Sequence, residues 1–203
     1  MYRVPVLEGR VVRLEPLEER HVPDLAEAAD ADRASYGFTT VPQGPDGTAT
    51  YVAAVLAAVA SGDTVGFAQV RQSDGRAVGV TRYLTFRHAP EVGGLYAVEV
   101  GGTWLGAAAQ RTGINVEAKL LLFGHAFEQW SVGRVDLKTD ARNERSRAAI
   151  AALGATFEGV LHQWQPSHAV GETGMLRDTA MFSVVTGRWP DVRAELERRL
   201  DRH

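Results

Sequence analysis

Between Leu95 and Trp130 the chain reads LYAVEVGGTWLGAAAQRTGINVEAKLLLFGHAFEQW, and no other stretch restricts the fold as much. Tyr96–Leu105 reads as a strand and Gly106–Ile114 as a loop of small residues. A helix follows, from about Asn115 to Trp130. Leu120, Leu121, Leu122, Phe123, Ala126, Phe127 and Trp130 cover more than one face of that helix, so it should be largely buried. His125, in the same run, reads as a satisfied core or boundary histidine. Gly106, Ala107, Ala108, Ala109 and Gly113 carry almost no side chain, so a ligand can approach the main chain closely. The helix that follows leaves unpaired N–H groups and a partial positive charge at its start. Together these features suit a phosphate or pyrophosphate. The alternative is a tight strand-to-helix turn in which Gly113 only relieves strain.

Around this centre the other elements fall in order. Arg10–Glu15 alternates as a short strand that Pro16 ends. Leu17–Ala29 is an amphipathic helix with Leu17, His21 and Leu25 on one face. Residues 30–47 are loop-like, and Thr48–Ala60 is a second helix closed by Gly62. Thr64–Gln72 and Ala77–Phe86 are strands joined at Ser73-Asp74-Gly75-Arg76, where Asp-Gly signals a hairpin. Beyond the central helix, Val135, Leu137 and Thr139 share one face of a strand over Val135–Asp140. Asp136, Lys138 and Asp140 share the other. Asn143 caps a helix from Glu144 to Leu153 that Gly154 ends, with Ser146, Ala149, Ile150 and Leu153 on one face. Thr156–Trp164 and Met175–Thr186 are the last strands, flanking a polar loop Gln165–Gly174. A final helix starts at Trp189-Pro190, with proline in its favoured first turn and an apolar stripe of Val192, Leu196 and Leu200. The order β-α-α-β-β-β-α-β-α-β-β-α predicts an α/β fold around a mixed sheet.

Composition removes several function classes. The 203 residues suit one domain, 1–203, and no repeat or linker divides them. A net charge of -3 and the lack of a basic stripe argue against a nucleic-acid partner. The absence of cysteine rules out disulfides, thiolate metal sites and cysteine nucleophiles, and fits a cytoplasmic location. The opening MYRVPVLEGR lacks a signal-peptide core, and the longest apolar run, Val52–Ala60, is too short to cross a bilayer. No His/Asp/Glu cluster has metal-ligand spacing, and lone Ser and His residues make no nucleophile triad. No G-x-G-x-x-G follows an early strand, which argues against a dinucleotide oxidoreductase.

Gln110-Arg111-Thr112-Gly113-Ile114-Asn115 resembles the Q/R-x-x-G-x-G/A pyrophosphate loop of the GCN5-related N-acetyltransferases, the GNAT superfamily. Gln110 and Gly113 match, and Asn115 stands where Gly or Ala is usual. Asn115-Val116-Glu117-Ala118-Lys119 resembles the N-x-E-A-K helix start of the branch that includes bacterial ribosomal-protein N-acetyltransferases. VVRLEPLEERHVPDL resembles the family's opening strand and first helix. TDARNERSRAAIAALGATFEGVL resembles its N-x-x-S, helix, L-G-A and strand, and LRDTAMFSVV resembles the branch's final R-D-x-x-x-[FY]-S strand. The likeness spans nearly the whole chain. It implies a mostly antiparallel mixed sheet with flanking helices and a splayed, bulged central strand. It also implies acetyl-CoA, or another acyl-CoA, as cosubstrate, with no metal. The acceptor it implies is a primary amine: a protein N-terminal amine, or a small amine such as an antibiotic or polyamine. A catalytically silent acyl-CoA sensor is the rival reading, and a homodimer stays open.

Transfer from a thioester to an amine needs three things: removal of the ammonium proton, donors for an oxyanion, and a proton for the departing thiolate. Glu99 is the candidate base, because with Gly101 it resembles the family's E-x-G; the alternative is a structural strand carboxylate with a basic partner. Counting back from Asn115 puts the motif's glutamate at Val100, so the match needs one extra residue around Gly101-Gly102, where two glycines tolerate a bulge. Main-chain N–H groups of Gly102, Thr103 or Trp104 would support the thioester oxygen, and pantetheine amides would pair with the splayed strand. Asn143 and Ser146 match the N-x-x-S that lies beside pantetheine, Asn143 as cofactor or water ligand and Ser146 as helper of the leaving thiolate. Plain helix capping is the alternative for Asn143. Ile150 stands where many relatives carry an acidic Tyr, which leaves Ser146 or water as the acid. Gln110, Arg111, Thr112, Gly113, Ile114 and Asn115 form the expected pyrophosphate loop, with Arg111, Arg145 or Arg147 available to phosphate charges. Tyr36, Phe38 and Tyr51 are acceptor contacts or ordinary packing. His162, Trp164, His168, Glu172, Arg177 and Asp178 lie in or beside the last hairpin, where they could shape acceptor choice.

Overall fold

In the computed structural model, which describes residues 2–169 and 171–202, eight strands form one sheet. They are β1 (Leu7–Glu8), β2 (Val12–Pro16), β3 (Thr64–Arg71), β4 (Ala77–Ala89), β5 (Gly94–Leu105), β6 (Arg134–Asp140), β7 (Thr156–Pro166) and β8 (Leu176–Val185). Their order across the sheet is β1-β2-β3-β4-β5-β6-β8-β7, and β5–β6 is the parallel pair among antiparallel neighbours. The helices are α1 (Val22–Asp30), α2 (Gly44–Ser61), α3 (Ile114–Gly124), α4 (Glu144–Ala152) and α5 (Trp189–Leu200). No described helix is long and apolar enough to cross a membrane.

The predicted elements are present, with differences that have physical causes. The two-residue β1 is too short for alternation to reveal. α2 begins at Gly44, ahead of Thr48, because Pro45 is well suited to a first helical turn. The central helix changes to a π-helical turn at His125–Gln129. The change comes just after Leu122, whose carbonyl accepts the buried Tyr83 hydroxyl at 2.5 Å, a side chain entering the helix ladder. His125 lies over Tyr83 and Trp130, with Nε2 buried and unpartnered rather than satisfied. Ala149 is exposed, unlike Ile150 and Leu153 of the same expected face.

Two apolar clusters sandwich the sheet. On one face, Ile114, Val116, Leu122 and Phe123 of α3 pack with Ile150 of α4 and Val192 and Leu196 of α5 against Val98, Val100, Val135, Leu137, Phe182 and Val184. On the other, Leu25 and Ala29 of α1 and Val52 and Val55 of α2 pack on Ala68, Val70, Val80 and Trp104. The sheet residues of this second cluster come from β3, β4 and β5. The β6–β8 half of that face carries Asp136, Lys138, Arg177, Thr179 and Ser183 instead.

Two features hold the strands around α3 in place. Glu117, buried in α3, accepts from the amides of Arg10 and Val11 at 2.7 Å and of Val12 at 2.9 Å, tying the start of β2 to the helix. The second is a bulge in β5. Val80 pairs with Trp104 and Arg82 with Gly101, so β5 spends one more residue than β4 over this interval. Gly102 takes φ +55 there, and a Cβ on Gly101 would fall 2.8 Å from Glu99 Oε1. Gly102 thus serves the backbone angle, and a side chain at Gly101 would displace the Glu99 carboxylate.

Candidate active site

β5 and β6 pair at Ala97↔Arg134, Val98↔Val135 and Glu99↔Asp136, and then separate. β5 continues beside β4 to Leu105, while β6 continues beside β8 to Asp140. A gap opens between the carboxyl ends of two parallel strands, each of which leads to a helix N-terminus. That position is a natural ligand crevice.

The first lip is the loop into α3. Gly113, at φ +85, is its N-cap and provides no capping side chain. The Glu117 amide bonds Gly113 O at 2.9 Å, so the amides of Ile114, Asn115 and Val116 have no acceptor within the helix. Arg111 is exposed with φ +64, and Thr112 Oγ1 donates to Ala109 O at 2.7 Å. Ile114 is buried, so only its main chain can meet a ligand. Asn115 ends in a buried Oδ1 without a partner. Gln110 braces the loop: its Nε2 donates to Leu105 O at 3.0 Å and to Ser35 Oγ at 3.1 Å. Free first-turn amides, a helix-start dipole and two left-handed residues fit a diphosphate.

The second lip is the start of α4. Asn143 Oδ1 accepts from Ser146 N at 3.0 Å, so this side chain is a helix cap with only its amide nitrogen left over. The Ser146 hydroxyl makes no hydrogen bond among the described residues, and the residue is half-buried. Arg145 donates to Ser35 O, and Arg147 Nη1 donates to Ala141 O at 3.1 Å. Ser35 is thus held from both lips, by Gln110 and by Arg145. The Arg142 guanidinium lies 5.2 Å from the Phe38 ring centroid. The connection between α1 and α2 therefore reaches across the mouth of the gap, a long-range arrangement that pattern alone does not reveal.

Glu99 sits at the apex, 4% exposed. Its Oε2 accepts from Thr85 Oγ1 at 3.0 Å and pairs with Lys138 Nζ at 3.0 Å across the splay. Its Oε1 receives no hydrogen bond from the described residues. Beneath the bulge lies Lys119, which sequence reasoning left without a role. Its Nζ donates to Thr103 Oγ1 at 2.6 Å and to Thr81 Oγ1 at 3.1 Å, and no described carboxylate pairs with it. Burial pulls its ammonium down to about 7. The signal was its position four residues after Asn115 on α3, but only packing shows that it faces the bulge.

The candidate acceptor residues divide. Tyr36 is buried and its hydroxyl donates to Leu105 O at 3.2 Å, so it is part of the wall. Tyr51 lies beside the bulge, where its hydroxyl accepts from Trp104 Nε1 at 3.3 Å and Arg82 stands 5.8 Å over its ring. His162 and Trp164 are on the edge strand β7 and are largely exposed. His162 pairs with Asp178 at 2.9 Å, on the face opposite that of the adjacent Arg177, so His162 is turned away from Glu99. Arg177 is buried, and its charge reaches Glu99 and Asp140. Glu172 is bound by Arg142, which also takes Asp140 at 2.8 Å. Among the described residues no group of three or more His, Cys, Asp or Glu is placed to hold a metal ion.

Comparison with known proteins agrees with this geometry. Residues 12–156 match the acetyltransferase (GNAT) domain family. No curated protein matches the sequence significantly. Among solved structures, the chain is similar to a candidate acetyltransferase from T. thermophilus, with 33% identity, a TM-score of 0.79, and 98% of this chain and 100% of that one covered. It is similar to a GCN5-related N-acetyltransferase from Brucella melitensis, with 26% identity, a TM-score of 0.83 and coverage of 97% and 85%. Its fold is similar to that of RimL, a ribosomal L7/L12 alpha-N-protein acetyltransferase solved with coenzyme A, with 18% identity, a TM-score of 0.69 and coverage of 89% and 98%.

Proposed function

The chain belongs to the GNAT acetyltransferase family, and from that premise we propose that it moves an acetyl or other short acyl group from acyl-CoA directly to a primary amine, most simply the N-terminal amine of a protein. The whole of 1–203 acts as one acyl-CoA N-acyltransferase domain, a reading supported by one continuous sheet with helices packed on both faces. The observation that carries the reading is the separation of β5 from β6 beside a bulge and directly below the uncapped start of α3. The choice of a protein amine rests on the late-strand motif and on the fold shared with RimL, whose name assigns it that class of acceptor.

In this reading the amides of 114–116 and the Arg111–Gly113 turn hold the diphosphate of the cosubstrate, which supplies an activated acyl thioester. Gln110 keeps the loop in shape through Leu105 O. The main-chain N–H groups around Gly102–Trp104, where Gly102 and Thr103 have no ladder partner, receive the carbonyl oxygen as charge develops on it. Glu99 Oε1, free of donors among the described residues, takes the acceptor's proton directly or through water, while Lys138 and Thr85 fix Oε2. Ser146, with its hydroxyl unengaged, or a water beside it, protonates the thiolate.

Thiol release from acetyl-CoA against a panel of N-terminal peptides and small amines tests the function. Saturable turnover of at least one amine is expected. Tight acyl-CoA binding with no turnover of any amine favours a silent sensor. Glu99→Gln is expected to lower kcat roughly a hundredfold with little change in CoA affinity, and equal turnover would reject Glu99 as the base.

A further inference from the structure

Arg82 and Arg177 differ from every other arginine that the fold shelters. Each remaining half-buried arginine gives a hydrogen bond to a carboxylate, an amide oxygen or a main-chain carbonyl. Arg82 and Arg177 make neither hydrogen bond nor ion pair among the described residues, and the Nε of each is buried without a partner. Arg177 is 8% exposed. A guanidinium whose Nε is buried without a partner and which forms no ion pair is costly, so a fold that keeps two of them beside one crevice points to an anion from outside the chain.

Their positions bracket the base. Arg82 is the β4 partner of Gly101, and its guanidinium covers the bulge so closely that a Cβ on Gly102 would lie 2.3 Å from its Nε. Arg177 opens β8, on the other side of the gap, and its charge reaches Glu99. His168, from the β7–β8 loop, feels both: burial first, then the charges of Arg177 and Arg82, hold its imidazole below the ordinary value. Neither guanidinium forms an ion pair with the carboxylates within reach; Glu99 Oε2 is paired with Lys138 and Asp140 with Arg142.

Resting on the acyltransferase reading, we propose that the acceptor carries a carboxylate close to its primary amine, and that Arg82 and Arg177 bind that carboxylate while the amine meets Glu99. Two sources supply this chemistry: a free amino acid, with its α-carboxylate, and a peptide whose N-terminal amine is followed by Asp or Glu. A polyamine or polycationic antibiotic meets two guanidiniums without ion-pair partners at the same place and is rejected.

The test is acetyl-CoA thiol release with matched acceptors: amino acids against their carboxamides, and N-terminal peptides with Asp or Glu at the second and third positions against the same peptides with Asn or Gln. The carboxylate member of at least one pair is expected to show a kcat/KM higher by about tenfold or more, and the pair that does so identifies the source. Arg82→Met and Arg177→Met are expected to abolish that preference without weakening acetyl-CoA binding measured by calorimetry. Because it removes an unpaired buried cation, Arg177→Met is also expected to raise Tm, and Arg177→Lys is expected to keep part of the preference. Turnover without carboxylate preference, or a preference unchanged in the variants, overturns the anion site and leaves the acyltransferase reading standing. Loss of acetyl-CoA affinity in the variants reassigns the arginines to the cosubstrate and overturns it equally. No turnover with any amine, on protein that binds acetyl-CoA, overturns both.

Discussion

Lys119 offers a perturbation whose size follows from its surroundings. The residue is 4% exposed, and its ammonium donates to two threonine hydroxyls and has no carboxylate partner among the described residues. Burial lowers it to about 7 from the 10.5 of a free lysine. Between these values the unfolded chain holds a proton that the folded chain does not, so folding becomes more favourable as pH rises. The penalty is complete below the folded value and vanishes above the unfolded one. From pH about 7 to about 9 this linkage stabilises the wild type by about 2 kcal/mol, allowing for half-protonation at the lower end. Lys119→Met removes the titrating group while keeping most of its length. Urea unfolding of both proteins at the two pH values isolates the effect, because every other titration is common to them. The stability of the wild type relative to Lys119→Met is expected to rise by that amount. A difference between the proteins that stays constant across the interval would refute the burial argument.

Other perturbations test the parts around it. Glu117→Gln leaves one carbonyl oxygen to face the three amides of Arg10, Val11 and Val12, and should cost about 3 kcal/mol in urea unfolding; an unchanged midpoint would show that the clamp is dispensable. Gly102→Val forces a β-branched residue to φ +55 against Arg82, and should reduce kcat far more than acetyl-CoA affinity, as steady-state kinetics beside calorimetry would reveal. Gly113→Val, at φ +85, should weaken acetyl-CoA binding by about tenfold or more while the fold survives by circular dichroism.

What the sequence discloses depends on how local the cause is. The strand, loop and helix of 95–130 are legible because glycine spacing, small side chains and an apolar helix are all properties of neighbouring residues. The bulge is legible for the same reason: Gly101-Gly102 sits where the family spacing is one residue too long, and the register slips there. The cap at Asn143 and the stop at Gly154 follow equally from local chemistry. The contacts across the gap do not. Arg145 and Gln110 meet at Ser35 over separations of 110 and 75 residues, and nothing in either segment announces the other. Lys138 is legible as one of the polar face of β6, yet its pairing with Glu99 depends on how far two strands diverge. Tyr36 shows the opposite limit: its sequence context allows an acceptor contact or ordinary packing alike, and only the fold shows its hydroxyl bound to Leu105 O.

In the proposed reaction, main-chain amides at the opening of α3 receive the diphosphate of coenzyme A. Hydrogen–deuterium exchange across residues 111–116, with and without saturating acetyl-CoA, examines those groups themselves. The account predicts that their exchange slows on addition of acetyl-CoA, and that the effect fades in Gly113→Val. Saturable acetyl-CoA binding that leaves these amides exchanging at the free rate, with protection appearing elsewhere, would contradict it.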